Sequence, residues 1–376
     1  MSAISLFSGA GGLDLGCERA GFRTVAAVEA ERTARTTMLG NRDRFFRWLT
    51  PEGVLDDVTT VSPGELLERA GLSRGEASLI HGGPPCTPFS KSGYWLEYKR
   101  AGADPRASLL DDFVKLVRGV QPRAFIMENV YGLAYRNQNQ PVFERFLRRS
   151  RASGYAVDHR ILLAADFGVP QLRQRLVCVG VRKDLLDVDP KLWRFHWPMP
   201  THSGPHETRK TWDRSLPSHV ATGEALVGLR PALNRPEPEE EVEGTYRDEL
   251  HGVPPGDNYL YWTKERGHPS PRFKWRSRYW SFLLKLHPDR PSPTIQGQPG
   301  PWVGPFHWEN RRLRVAELKR LMGFPDDFAV LGTRREQQLQ LGNAVPPPLA
   351  EVIARAVAEE LRRLGAGEAP AATLAA

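Results

Sequence analysis

Ala3-Ile4-Ser5-Leu6-Phe7-Ser8-Gly9-Ala10-Gly11-Gly12 is a short apolar run that empties into a glycine loop. Residues 13–20 then read as a helix, stopped by Gly21. Residues 24–29 read as a second strand and 31–39 as a second helix. Further strands are expected at 78–81, 123–128, 156–163 and 175–181, with helices at 109–119 and 141–153. Strands alternating with helices predict an α/β fold: a doubly wound, largely parallel sheet with helices on both faces.

The alternation stops near Lys191. From there to about Gly304 the chain is rich in Pro, Trp, His and Arg and shows no long helical periodicity. An acidic stretch at 237–243 reads as a solvated loop. A basic stretch follows, with Arg266, Arg272, Lys274, Arg276 and Arg278 interleaved with Trp262, Phe273, Trp275, Tyr279 and Trp280. Helical order returns at 314–322, ends at Gly323 and Pro325, and resumes from about 347 to 364. The expected division is a large domain at 1–184, a smaller one at 185–332, a returning segment at 333–364 and a disordered tail at 365–376.

Composition narrows the class. The chain has 376 residues, a net charge of +8 and a pI near 9.5, which favours an anionic partner such as nucleic acid. Three scattered cysteines without C-x-x-C spacing argue against a disulfide framework or a zinc site and suit a reducing cytosol. No secretory signal or membrane-length apolar run is visible.

Four segments carry chemistry. Gly82-Gly83-Pro84-Pro85-Cys86-Thr87-Pro88-Phe89-Ser90 follows a strand and forms a stiff loop, because proline fixes its own φ and restricts the residue before it. A thiol on such a loop is pre-positioned, whereas Cys17 and Cys178 sit in helix and strand patterns and read as small core hydrophobes. The first glycine loop offers backbone N–H groups and a helix N-terminus to a nucleotide-like cofactor, and Glu29 can accept from ribose hydroxyls. Asp14 stands where the dinucleotide fingerprint needs its third glycine. The form Phe7-x-Gly9-x-Gly11 suits S-adenosylmethionine instead. Glu128 ends an apolar strand, at the edge where α/β sites form, and an apolar setting there can tune it toward a general acid. Arg173 and Arg175, at i and i+2 entering a strand, are expected on one face, fit to hold a phosphate or a base carbonyl.

Together these segments resemble the C5-cytosine DNA methyltransferase family, over all of the chain but its middle third. Phe7, Gly9, Gly11, Gly12 and Leu13 match the family's S-adenosylmethionine loop, and Glu29 its ribose acid. Asp57-Val58 resembles the pair that holds the adenine. Residues 83–90, with Pro84, Cys86 and Ser90, resemble the nucleophile loop, and Glu128-Asn129-Val130 the acid motif. Gln171-x-Arg173-x-Arg175 resembles the arginine motif, and Gln340 to Val345, with Asn343 and Ala344, the closing motif whose helix returns to the cofactor. Many members carry Ser where this chain has Ala344, so a hydroxyl contact to the cofactor is absent here.

The resemblance implies a Rossmann-like methyltransferase domain, a smaller target-recognition domain, and duplex DNA in the cleft between them. It implies a covalent bond from Cys86 to C6 of a flipped-out cytosine, Glu128 at N3 and the exocyclic amine, Arg175 at O2, and Arg173 positioning the loop or a phosphate. Ser90, Gln171, Arg266, Arg272, Lys274, Arg276 and Arg278 are the expected DNA contacts. A cytoplasmic monomer needing no metal, in a restriction–modification or defence setting, completes the expectation. Two alternatives stay open: a tRNA cytosine-5 methyltransferase of the same fold, and a catalytically inactive DNA-binding regulator.

Overall fold

In the computed structural model the N-terminal apolar run forms β1 (Ser2–Leu6), at the middle of a sheet. The structure describes residues 1–85, 108–135, 139–206, 211–229, 240–276 and 279–366. β1 pairs in parallel with β2 (Arg23–Val28) on one side and with β4 (Leu79–Gly82) on the other. β3 (Val54–Leu55) lies outside β2 and β5 (Ala124–Val130) outside β4, both in parallel. β8 (Gln174–Arg182) and β6 (Tyr155–Leu163) complete the order β3-β2-β1-β4-β5-β8-β6. β8 runs antiparallel to both neighbours, so the sheet is parallel apart from one reversed strand.

This topology locates the site. The chain leaves β1 on one side for β2 and returns to the other side for β4. That reversal makes a switch point at the carboxyl ends of β1 and β4, where such sheets open a crevice. The antiparallel course of β8 brings its first residues to the same edge, with Arg175 opposite Val130 at the end of β5.

Strand alternation sends Ile4, Ile80, Phe125 and Met127 to one face. Three helices cover it: α4 (Pro63–Ala70), α5 (Leu109–Val120) and α7 (Gln140–Ala152). α5 buries Leu110, Phe113, Val114 and Val117, the i, i+3, i+4, i+7 spacing of an amphipathic helix. α4 starts where the Ser62 hydroxyl accepts the Glu65 N–H at 3.1 Å and stops at Gly71, with φ of 63°. α1 (Gly12–Arg19) packs on α12 (Pro347–Arg363) so closely that a Cβ on Gly16 would lie 2.3 Å from that of Ala350. The short helices α2 (Arg32–Gly40), α3 (Arg42–Phe45) and α6 (Gly132–Tyr135) follow β2 and β5.

Contacts divide the chain into two units: Met1–Leu163, Gln174–Met199 and Ala344–Ala376 form one, and Ala164–Arg173 with Pro200–Asn343 the other. This division differs from the expected 1–184, 185–332 and 333–364. The piece up to Met199 joins the first unit because its indoles find acceptors there: Trp193 donates to the buried Glu360 at 2.8 Å and Trp197 to the half-buried Asp158 at 3.0 Å.

The second unit has little regular structure. β7 (Gln171–Leu172) pairs with β9 (Ser292–Pro293), and four short helices follow: α8 (Thr222–Ala225), α9 (Arg247–Gly252), α10 (Val315–Leu321) and α11 (Arg334–Asn343). Its core holds Leu250, Tyr259, Leu283 and Phe306, ringed by Tyr246, Phe273 and Phe282. Phe273 meets Phe282 edge to face at 5.6 Å, the geometry that aromatic quadrupoles favour. No helix among the described residues is long and apolar enough to cross a membrane.

Candidate active site

The glycine loop leaves β1 through three left-handed residues, Phe7 (φ 55°), Gly9 (φ 55°) and Gly11 (φ 80°). A bulky residue in that region is strained, and such strain gathers where backbone N–H groups are aimed at a ligand. Gly11 caps α1, and a Cβ there would strike the Phe46 ring at 2.8 Å, so only glycine fits. A Cβ on Gly9 would meet open space, which leaves that backbone approachable.

Glu29 follows β2 and locks onto the loop. Its Oε2 accepts the Gly9 N–H at 2.6 Å and its Oε1 the Glu31 N–H at 2.8 Å. Burial raises the carboxyl's pKa, while those two N–H groups pull the other way. A carboxylate so fixed beside a nest of N–H groups fits a nucleoside ribose. Asp57 is half-buried, and its Oδ1 accepts both the N–H and the hydroxyl of Thr59, at 2.9 and 2.7 Å, which lowers its pKa. Val58 points into the core under the sheet. Ala344 is buried and is the first residue of the first unit's last segment; Asn343, exposed at the end of α11, belongs to the second unit.

The strand ends next to this loop carry the polar chemistry. Glu128, near the end of β5, meets the Arg175 Nε at 2.8 Å, and both side chains are almost buried. Register explains the pair. Glu128 stands opposite Val177 and Val130 opposite Arg175, so the two side chains are diagonal neighbours on one face. Arg175 also donates to the Gln174 carbonyl at 2.7 Å. A Cβ on Gly83 would lie 3.0 Å from Glu128 Oε2, so the loop after β4 passes the carboxylate closely because residue 83 has no side chain. Asn129 donates from Nδ2 to the Pro84 carbonyl at 3.0 Å and pins the Gly83-Pro84 turn to β5. Nothing in the sequence assigns Asn129 this role beyond an amide at the end of an apolar strand, between Glu128 and Val130.

Cys86, Ser90 and Arg278 lie outside the described residues. Cys17 and Cys178 are buried, and burial pushes both thiols well above their ordinary range, which makes them poor nucleophiles.

Two arginine-motif residues differ from expectation. Gln171, expected at the DNA, is fully buried in the second unit. Its Nε2 donates to Leu321 O at 3.1 Å and its Oε1 accepts from Ile295 N at 3.2 Å, so the amide is spent inside the protein. Arg173, expected to share a face with Arg175 and to position the loop or a phosphate, is also buried and donates to Gly342 O at 2.8 Å, which leaves no phosphate contact for it. The reason is local. Arg173 lies between β7 and β8, and its N–H turns back onto the Gln171 carbonyl at 2.9 Å, so strand alternation does not apply to it.

The basic stretch is split. Arg266 pairs with Asp257 at 2.7 Å, and Arg272 pairs with Glu249 at 2.8 Å while lying over the Trp262 ring. Lys274 and Arg276 are exposed, as are Trp275, Tyr279 and Trp280.

The fold and site define a Rossmann-like methyltransferase: a glycine loop and ribose-type acid after β1 and β2, and an acid–arginine pair after β5. The family model for C-5 cytosine-specific DNA methylase matches residues 1–359, and the chain belongs to that family. It is 47% identical to the type II methyltransferase M.SacI of Streptomyces achromogenes, over 96% of this chain and 93% of that one. It is 34% identical to the type II methyltransferase M1.HphI of Haemophilus parahaemolyticus, over 95% and 86%. A solved structure of S. pombe Dnmt2 methyltransferase superposes with a TM-score of 0.60 at 15% identity, over 97% and 99%, which speaks for the fold alone.

Proposed function

We propose that the chain transfers the methyl group of S-adenosylmethionine to C5 of a flipped-out cytosine in duplex DNA, as the modification partner of a type II restriction system. The observation that carries the mechanism is the Glu128–Arg175 pair at the sheet's carboxyl edge, beside Gly83 and three residues before Cys86 in the chain. The type II setting rests on the two relatives above.

S-adenosylmethionine, when bound, would supply an electrophilic methyl on a sulfonium centre, and the Phe7 to Gly11 backbone and Glu29 would hold it. Cys86 adds through sulfur to C6 and makes an electron pair available at C5. Glu128, oriented by Arg175, meets N3 and the exocyclic amine and offsets charge as the adduct forms. Arg175 keeps donors free for the O2 carbonyl. Cys86 stays bonded at C6 while C5 takes the methyl carbon and the sulfonium bond breaks with its electron pair. The thiolate then departs as a base removes the C5 proton. The exposed Lys274 and Arg276, with the neighbouring aromatics, offer a surface for DNA.

A duplex carrying 5-fluorocytosine at the target tests the route, since fluorine does not leave as a proton does. Wild-type protein should be trapped covalently, and Cys86→Ala should neither trap nor methylate while still binding S-adenosylhomocysteine. Normal turnover by Cys86→Ala would refute the mechanism.

A further inference from the structure

Asp14 and His81 are fully buried. None of their four polar atoms makes a well-formed hydrogen bond among the described residues, although the Ser5 hydroxyl lies close enough to Asp14 to act on its carboxyl, and His81 Nε2 lies 4.0 Å from Asp14 Oδ1. Unpaired buried polar atoms are uncommon in native cores, and an apolar pair would avoid their desolvation cost. Their place is informative. Asp14 is in the first turn of α1, whose cap is Gly11 of the glycine loop. His81 is on β4, two residues before Gly83. Ser5, on β1, stands opposite His81 in the strand register, and its hydroxyl accepts from Ser8 of the loop at 2.7 Å. Ser8, Ser5, Asp14 and His81 thus form a buried polar seam joining the glycine loop to the strand that leads into the Gly83-Pro84 turn.

We propose that Asp14 and His81 are a positioning pair that shares one proton, closing to a hydrogen bond as the glycine loop takes up S-adenosylmethionine and so fixing the loop against β4. The proposal rests on the cofactor reading above. The proton stays on the Asp14 carboxyl and points at an imidazole nitrogen. Burial pushes that carboxyl up to about 7, against the Ser5 hydroxyl, and the His81 imidazole down to about 3, so the ring stays neutral. The other titratable groups close to Asp14 are Glu18 and Glu29, which push it up further, and Cys17, whose thiol burial keeps neutral. Only the protonated acid can donate to the neutral ring, so closing the pair favours the uncharged carboxyl. Cofactor binding therefore takes up a proton, and affinity falls as pH rises past the Asp14 value.

Titration calorimetry with S-adenosylhomocysteine over about pH 6 to 8, in two buffers of different ionisation heat, tests this around the Asp14 value. Wild type should take up a fraction of a proton and lose affinity by up to about tenfold per pH unit above that value. Asp14→Asn should bind with no pH response beyond the part due to Glu29. An unchanged response in Asp14→Asn would overturn the pair. So would identical heats in the two buffers for wild type, a result that needs no variant to fold. No binding by wild type at any pH would instead overturn the cofactor reading, and this inference with it.

Discussion

The carboxyl edge of the sheet and the stretch at 259–290 handle charge in opposite ways. At the edge, Glu128 and Arg175 are nearly buried and neutralise each other across paired strands. In the stretch, Arg266 and Arg272 hold acids while half-exposed, and Lys274 and Arg276 face solvent. A buried pair gains most of its worth from not being broken, whereas exposed pairs contribute little to stability and stay free to exchange partners. The edge holds one geometry, whereas the cations of the stretch stay at the surface.

Removing one partner at the edge is the severest test of this contrast. Arg175→Ala takes the guanidinium from a nearly buried Glu128 carboxylate and should cost about 3–5 kcal/mol in chemical denaturation. Methylation should fall by about a hundredfold or more in Glu128→Gln, which keeps the shape and loses the proton chemistry. A loss below about 1 kcal/mol for Arg175→Ala would put the edge in the same class as the surface pairs.

The buried seam sharpens the contrast through pH. Asp14 rises to about 7 from 3.8 on folding, so its contribution is full below 3.8 and is lost as pH climbs to about 7. His81 falls to about 3 from 6.5, so its contribution is full above 6.5 and is lost as pH drops to about 3. Between 3.8 and 6.5 the two slopes oppose, each at most about 1.4 kcal/mol per pH unit, and wild type should change little on their account. Asp14→Asn should gain on wild type as pH rises through that window, and His81→Gln should lose. Thermal denaturation across the window reads both, and parallel curves for all three proteins would remove the opposition.

Glu29→Ala should weaken S-adenosylhomocysteine binding by roughly 1–3 kcal/mol in calorimetry, the worth of a lost charged hydrogen bond. Arg272→Ala should cost no more than about 1 kcal/mol of stability. Lys274→Ala and Arg276→Ala should leave stability within about 0.5 kcal/mol and lower the salt slope of DNA binding by about 1 each if they meet phosphates. A relaxed methylation motif in either variant would make it a base reader instead.

Which parts were legible in the sequence follows from the same physics. β1, β2, β4, β5 and β8 announce themselves as apolar runs, β6 has apolar ends around Asp158-His159-Arg160, and Glu128 stands out because it follows an apolar run. α4 is marked only by its cap, Ser62-Pro63 with Glu65 three residues after Ser62, and not by a long apolar run. α11 is Arg-Arg-Glu-Gln-Gln-Leu-Gln-Leu-Gly-Asn, without an apolar stripe, so periodicity had nothing to register. Gln171 and Arg173 look like surface residues in the chain. Their burial is decided by the carbonyl groups of Leu321 and Gly342, which lie 150 and 169 residues further on. In the basic stretch, Tyr259 and Phe273 went to the core and Trp275 and Trp280 to the surface, although all four look alike in sequence.

The seat of Gly16 against Ala350 has a consequence for how the molecule is made. The Arg355 guanidinium reaches back to the Arg19 carbonyl across 336 residues. The helix that carries the glycine loop leaves the ribosome well before its packing partner. Until α12 emerges, one flank of α1 has no cover, and contacts this distant in sequence close slowly. Chains stalled before α12 would therefore carry an unfinished cofactor loop, and methylating capacity would wait for that helix.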